Sequence, residues 1–147
     1  MVLSFPVNDR PNVWTDRRIC AGTATLRLLV VDDNSNSAHA LVAYLSLEDI
    51  ECAIALGGRE AMASTMTFDP HAILMDISMP GCNGYDTARA LRRHPKTREI
   101  VIVAHTALDE AEVRRHQDDD EFDGYLQKGE SPRRIVRLLA TLTRRAL

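Results

Sequence analysis

Five side chains in this sequence could do chemistry together: Asp32, Asp33, Asp76, Thr106 and Lys128. Each stands at or just past the end of a short apolar run. The runs cover residues 28–31, 72–75, 100–104 and 122–127. Such runs fit strands buried on both faces, as in a parallel sheet. Ligands of an open parallel α/β sheet bind beyond the carboxyl ends of its strands, so all five side chains would meet in one crevice. Three carboxylates there repel one another unless a cation sits among them. Hard oxygen donors with room for water and phosphate oxygens favour Mg²⁺. Lys128 adds a compact positive charge suited to a phosphoryl oxygen, and Thr106 offers a hydroxyl to another. A carboxylate facing a metal, an ammonium and a hydroxyl is equipped to attack phosphorus. Taken singly, each residue has a plainer explanation: an Asp after a strand often caps a helix, and a Lys there is usually solvated. The joint placement is what argues for a site.

The elements that must hold these residues can be read from periodicity. After the first strand, Asn34 or Ser35 can cap a helix with the apolar stripe Ala38, Leu41, Val42 and Leu45. Residues 51–56 form a second strand, broken by Gly57-Gly58. A helix follows with Ala61, Met62, Thr65 and Met66 facing inward, then a turn at Asp69-Pro70. Past Asp76, Pro80-Gly81 and Asn83-Gly84 make a loop before a helix carrying Tyr85, Ala88 and Leu91, closed by Pro95. A weak helix spans about 109–117, and the acidic run 118–121 reads as a solvated turn. Ser131-Pro132 opens a last helix with the stripe Ile135, Leu138, Leu139 and Leu142. Five strand–helix pairs predict a flavodoxin-like, doubly wound α/β fold. Its five-stranded parallel sheet would have order 2-1-3-4-5, with five helices. Residues 1–25 lack periodicity and read as an irregular, loosely held N-terminal arm before a domain over 26–147. Trp14 is the one arm residue that could dock on something.

The segments LLVVDDN (28–34), ILMDISMPGCNGYD (73–86), VIVAHTA (101–107) and DGYLQKG (123–129) resemble the response regulator receiver domain family of two-component signalling. The likeness covers residues 27 to about 145, and a single-domain, chemotaxis-regulator-like member is the nearest type. The resemblance implies that Asp76 is the phosphoacceptor. Asp33 is then the main Mg²⁺ ligand, Asp32 acts mostly through water, and the backbone carbonyl of Ser78 completes the protein's share. Thr106 becomes the switch hydroxyl, Lys128 the phosphate-contacting lysine, and Tyr125 the aromatic whose rotamer follows Thr106. The implied partners are a histidine kinase or histidine phosphotransfer protein and a downstream protein target, met by a monomer or weak dimer. The start of the first helix, residues 34–38, is the expected docking rim. Such a domain catalyses its own phosphorylation and dephosphorylation and is not a conventional enzyme.

The sequence departs from the family where Gly129 follows Lys128, because the family places a proline there in a cis linkage. A non-proline cis bond costs about 3–4 kcal/mol. Gly129 therefore either keeps that cost or relaxes to trans and moves Lys128, and a mobile loop over 128–131 is expected. A second departure is the acidic run 118–121, where a small residue and Gly are usual.

Bulk properties narrow the alternatives. The 147 residues suit one domain, and a net charge of −3 gives no electrostatic case for nucleic acid or membrane binding. The apolar runs fall far short of the ~20 residues that span a bilayer. Asp9, Arg10, Asp16, Arg17 and Arg18 interrupt any signal-peptide core, so a cytoplasmic protein is expected. Cys20, Cys52 and Cys82 have no metal-ligand spacing and read as reduced thiols, with Cys82 near the site. A DNA-binding output domain needs roughly 60 residues more than the sequence provides. A single-domain regulator is thus expected, with a receiver fragment of a hybrid kinase or transcription factor as the alternative. A degenerate receiver acting only as a binding module is a further rival, disfavoured by the complete acidic set. A phosphohydrolase would want a second acid where Ser78 stands. A flavodoxin-like cofactor binder would meet repulsion from Asp32-Asp33.

Overall fold

Leu28, Leu29, Val30 and Val31 are all buried, and so are all four residues of 72–75, because each of these strands is covered on both faces. The structure is a computed structural model that describes residues 12–79 and 83–144. Among these residues five strands alternate with five helices. The strands are β1 (Arg27–Val31), β2 (Glu51–Ala55), β3 (Ala72–Met75), β4 (Val101–Thr106) and β5 (Gly124–Gln127). The helices are α1 (Ser35–Ser46), α2 (Gly58–Phe68), α3 (Gly84–Arg93), α4 (Glu110–His116) and α5 (Arg133–Leu142). The sheet is parallel throughout, in the order β2-β1-β3-β4-β5, which is the flavodoxin-like topology read from the sequence.

Alternation along the strands divides the core in two. Leu28, Val30, Leu74 and Val103 pack with Ala38 and Leu45 of α1 and with Ile135, Leu138, Leu139 and Leu142 of α5. Leu29, Val31, Ile73, Met75 and Ile102 pack with Ala61 of α2, Ala88 and Leu91 of α3 and Val113 of α4. The caps follow local chemistry. Asn34 accepts from the Ser37 amide, Asn83 from that of Asp86 and Asp109 from that of Glu112. Ser131 Oγ accepts from the Arg133 amide at the start of α5, so Pro132 lies one residue before the helix.

Four sequence expectations need correction. β5 begins at Gly124 and not at Phe122, with Phe122 and Asp123 buried ahead of the strand. Met66 is exposed at 45%, because α2 turns Ala61 and Thr65 to the sheet and leaves Met66 outside that stripe. The acidic run is solvated at residues 118–120, but Glu121 is buried. Its carboxylate accepts from the Asp118 and Asp119 amides and closes the turn. The arm is not loose over residues 12–25: Ile19 is 1% exposed and Trp14 is half-buried. Its amides pair with Asp123 and Leu142 carbonyls, partners far away in sequence that no local pattern reveals. Residues 1–11, and Pro80, Gly81 and Cys82 with the turn and thiol expected there, lie outside the described residues.

Candidate functional site

Strand register assembles the site. Val31 pairs with Met75, so Asp32 and Asp76 leave the sheet side by side, and the Asp76 amide donates to the Val31 carbonyl at 2.9 Å. Thr106 pairs with Gln127, which puts Lys128 next to Thr106; its amide donates to the Thr106 carbonyl at 2.8 Å. Ligand oxygens of Asp32, Asp33 and Asp76 lie within 4.8 Å of one another, with Asp32 and Asp76 buried and Asp33 exposed. Lys128 Nζ reaches Asp32 Oδ2 at 3.0 Å and Asp76 Oδ2 at 3.2 Å. The Asn34 amide donates to Asp32 Oδ1 and the Ser78 amide to Asp76 Oδ1, which orients both carboxylates from their own loops.

Electrostatics at the crevice are unbalanced. Burial pushes the Asp76 carboxyl above its usual range; Lys128 pulls it back and Asp32 pushes it further up. Burial opposes the charge on Lys128, but its bonds to Asp32 and Asp76 outweigh that and raise its pKa. One ammonium thus faces three carboxylates, a surplus of negative charge that a hard divalent cation would balance. The donor set, carboxylate oxygens around a partly open crevice, fits Mg²⁺. His105, which precedes Thr106 on β4, is held down to about 4, by burial first and Lys128 second, with Asp32 opposing.

Two backbone features position Asp76 and Lys128. The α3 N-terminus packs so tightly on the Asp76 loop that a Cβ on Gly84 would lie 2.4 Å from the Asp76 carbonyl oxygen. Its amide donates to the Ile77 carbonyl at 2.8 Å. At the family departure, no cis peptide occurs among the described residues, and Gly129 takes φ +95°. Of the sequence alternatives, the trans linkage is the one the chain takes. The left-handed turn that glycine permits lets a trans chain keep Lys128 on the acids.

Thr106 and Tyr125 converge on one residue. Thr106 Oγ1 accepts from the Leu108 amide at 3.3 Å, and the Tyr125 hydroxyl donates to the Leu108 carbonyl. Sequence reasoning missed what covers Tyr125: the Trp14 ring stacks on it, 2° from parallel with centroids 5.9 Å apart. It also missed Asp123, which is fully buried and takes bonds from Arg17, Arg92, the Thr15 hydroxyl and the Ile102 amide. Its position in the DGYLQKG segment was the only signal, and a solvated Asp before a strand reads the same way.

The family profile described as the response regulator receiver domain matches residues 28–140. The chain belongs to that family. Its receiver domain is therefore a module of two-component signal transduction. It is 41% identical over 83 residues to the response regulator PleD of Caulobacter vibrioides, covering 56% of this chain and 18% of that protein. It is 31% identical over 118 residues to the phosphate regulon transcriptional regulatory protein PhoB of Pseudomonas aeruginosa, covering 80% of this chain and 52% of the other. The chain thus spans about half or less of the length of these curated relatives. Among solved structures, Vibrio cholerae chemotaxis protein CheY4 aligns with a TM-score of 0.76 at 24% identity, covering 81% of this chain and 99% of that one, which shows the shared fold. No helix among the described residues is long and apolar enough to cross a membrane.

Proposed function

We propose that this receiver domain takes a phosphoryl group from a phosphohistidine onto Asp76 in a Mg²⁺-dependent reaction and signals by protein contact. The observation that carries the reading is Lys128 Nζ held between Asp32 and Asp76 in a three-carboxylate crevice. An Asp76 oxygen forms the new O–P bond as the N–P bond of the donor breaks, and the imidazole leaves with the electron pair and takes up a proton. Lys128 turns from the carboxylates to a phosphoryl oxygen, and Thr106 offers its hydroxyl to another. Mg²⁺, held by Asp33, Asp76 and the Ser78 carbonyl, with Asp32 through water, would supply charge neutralisation of the phosphoryl oxygens. Hydrolysis at the same centre returns the domain to rest, so it acts on itself and not as a conventional enzyme.

Its partners are then a histidine kinase or phosphotransfer protein and a downstream protein, in the cytoplasm, with the domain a monomer or weak dimer and no direct nucleic acid contact. Residues 34–37 are exposed beside the acids, and a groove of about 410 Å³ lined by Ser37, Leu41, Tyr44, Lys128 and Ile135 opens between α1 and α5. A donor histidine brought to Asp76 would then cross that rim. Amide shifts on titration with a phosphotransfer partner should fall on residues 34–38 and this groove; shifts confined to the amino ends of the strands would refute the docking site. The function itself is tested with acetyl phosphate and Mg²⁺ followed by intact mass. One phosphoryl group is expected, lost in Asp76→Asn and in EDTA. Phosphorylation that survives either condition removes Asp76 or Mg²⁺ from the reading.

A further inference from the structure

The free edge of β5 is occupied by the chain's own arm. Val13 bridges Gly124 in antiparallel fashion, and the Trp14 amide donates to the Asp123 carbonyl at 2.9 Å. The fit is close: a Cβ on Gly124 would lie 2.8 Å from the Asn12 carbonyl oxygen, so this edge admits the arm because residue 124 is glycine. Trp14 lies parallel on Tyr125, Arg114 of α4 sits 4.2 Å from its ring centroid, and its indole N–H donates to Glu110 at 2.8 Å. Glu110 and Arg114 form an ion pair at 3.5 Å, so both grips on the indole come from the same turn of α4. Beyond Trp14 the chain is pinned separately. Arg17 binds the buried Asp123, the Ile19 amide donates to the Leu142 carbonyl at 2.7 Å, and the Arg144 amide donates back to Ile19.

We propose that residues 12–14 are a tethered ligand of the α4–β5 face, seated at rest and displaced when Asp76 is phosphorylated. The inference rests on Asp76 phosphorylation as read above. The seat is sensitive to that event because its floor hangs on Leu108. Thr106 holds the Leu108 amide and Tyr125 holds the Leu108 carbonyl. A Thr106 hydroxyl drawn to a phosphoryl group releases the first bond, and the loop bearing Leu108 is then free to carry Tyr125 and the start of α4 with it. Moving Tyr125 or the start of α4 alters the ring stack and the Glu110 and Arg114 contacts that hold the indole. α4 is the element best able to move, with seven residues and Val113 as its one buried side chain. Ile19 and Arg17 stay fixed, so the displaced segment remains nearby and reseats when the phosphoryl group is lost. The uncovered β5 edge and Tyr125 ring form the surface offered to a downstream protein, and the arm competes for it. Because the seated arm favours the resting arrangement, it also restrains phosphorylation, by linkage.

Trp14 is the chain's one tryptophan, so its emission reports the seat directly in the unaltered protein. The full chain is treated with acetyl phosphate and Mg²⁺, and intact mass verifies the phosphoryl group. Red-shifted emission and stronger acrylamide quenching are expected in the phosphorylated sample, and neither in Asp76→Asn. Trp14→Ala should speed phosphorylation by acetyl phosphate about fivefold, the scale of an aromatic pair lost from the resting state. Glu110→Gln, which keeps the ring stack, should act in the same direction and more weakly, and serves if Trp14→Ala does not fold. Unchanged emission and quenching in a sample shown by mass to be phosphorylated would overturn the arm's role while leaving Asp76 chemistry intact. So would phosphorylation rates unaltered in both variants, since a merely structural contact changes stability and not rate. A chain that takes no phosphoryl group at all brings down both readings, and the mass spectrum tells that case apart.

Discussion

At Gly129 the backbone turns with φ +95°, and a Cβ added there would meet nothing within 4 Å. The penalty for any other residue is therefore conformational and not steric crowding. Gly129→Ala is expected to lower unfolding free energy by about 1–2 kcal/mol in urea melts, the cost of left-handed backbone for an L-residue. Gly129→Pro should do worse and also slow phosphorylation, because a proline φ near −65° rebuilds the turn that carries Lys128. A Pro variant as stable and as fast as the parent would show that the glycine is merely tolerated. His105 gives a pH signature. Its folded pKa of about 4 lies below the unfolded value of 6.5, so the unfolded chain binds more protons between those limits. Its contribution is complete above about pH 6.5 and is lost as pH falls toward 4, by up to about 3 kcal/mol. Comparing urea midpoints of the parent and His105→Leu at pH 7 and pH 5 isolates that part. The parent should lose more stability on acidification, and equal losses would mean that His105 does not titrate differently on folding.

Helix α3 shows how the element that follows Asp76 along the chain fixes it in space. Its N-cap Asn83 and first residue Gly84 lock against the loop that leaves Asp76, with backbone atoms of Asp76 and Ile77 where a Cβ would go. No flexible side chain can yield there, so Gly84→Ala should destabilise the fold by about 2–3 kcal/mol, the range for overpacking a tight contact. It should also impair phosphorylation, because relief comes only by shifting the Asp76 backbone. Measuring both a thermal melt and the acetyl phosphate rate separates the effects. A destabilised variant with the parental rate would show that the loop, and not Asp76, absorbs the strain. Helix α4 is the opposite kind of element: short, capped by Asp109, and held to the core through Val113. Its surface partner is Trp14, which makes the arm a part of the α4 environment.

For the molecule as a whole, charge is the quantity left unbalanced at the crevice. Three carboxylates against one ammonium leave the crevice net negative, and Asp76, whose folded pKa is raised, costs stability while it is ionised. A cation that binds the folded crevice and not the unfolded chain should therefore stabilise the domain. The expected gain is about 2.7 kcal/mol when Mg²⁺ is present at roughly a hundred times its dissociation constant. Differential scanning calorimetry should show the transition rise by several degrees with Mg²⁺, with the increment lost in Asp33→Ala. An equal increment in the variant would place the ion elsewhere. At the opposite end of β5, the buried Asp123 joins Arg17 of the arm to Arg92 of α3, so the charge network also closes the chain's N-terminal segment onto the sheet.

The sheet, its order and the meeting of Asp32, Asp33, Asp76 and Lys128 were legible from the sequence, because they rest on local signals. Continuous apolar runs mark strands covered on both faces, helical stripes mark the layers, and in a parallel sheet the residue after each run must emerge at one edge. The α5 stripe Ile135, Leu138, Leu139 and Leu142 was right in every position for the same reason. What the sequence left open depends on partners distant along the chain. Trp14 meets Glu110, 96 positions away, and Thr15 meets Asp123, 108 away, and neither segment has a period that predicts the other. Glu121 looked solvated beside three acids, yet it is buried because two amides of its own turn need an acceptor. At Gly129 composition announced freedom, but that the chain turns left-handed there while Lys128 reaches Asp32 and Asp76 across the crevice is visible only in the folded chain. Burial of a polar group or an aperiodic arm is settled by whether tertiary partners satisfy it, and that information appears only when the chain closes on itself.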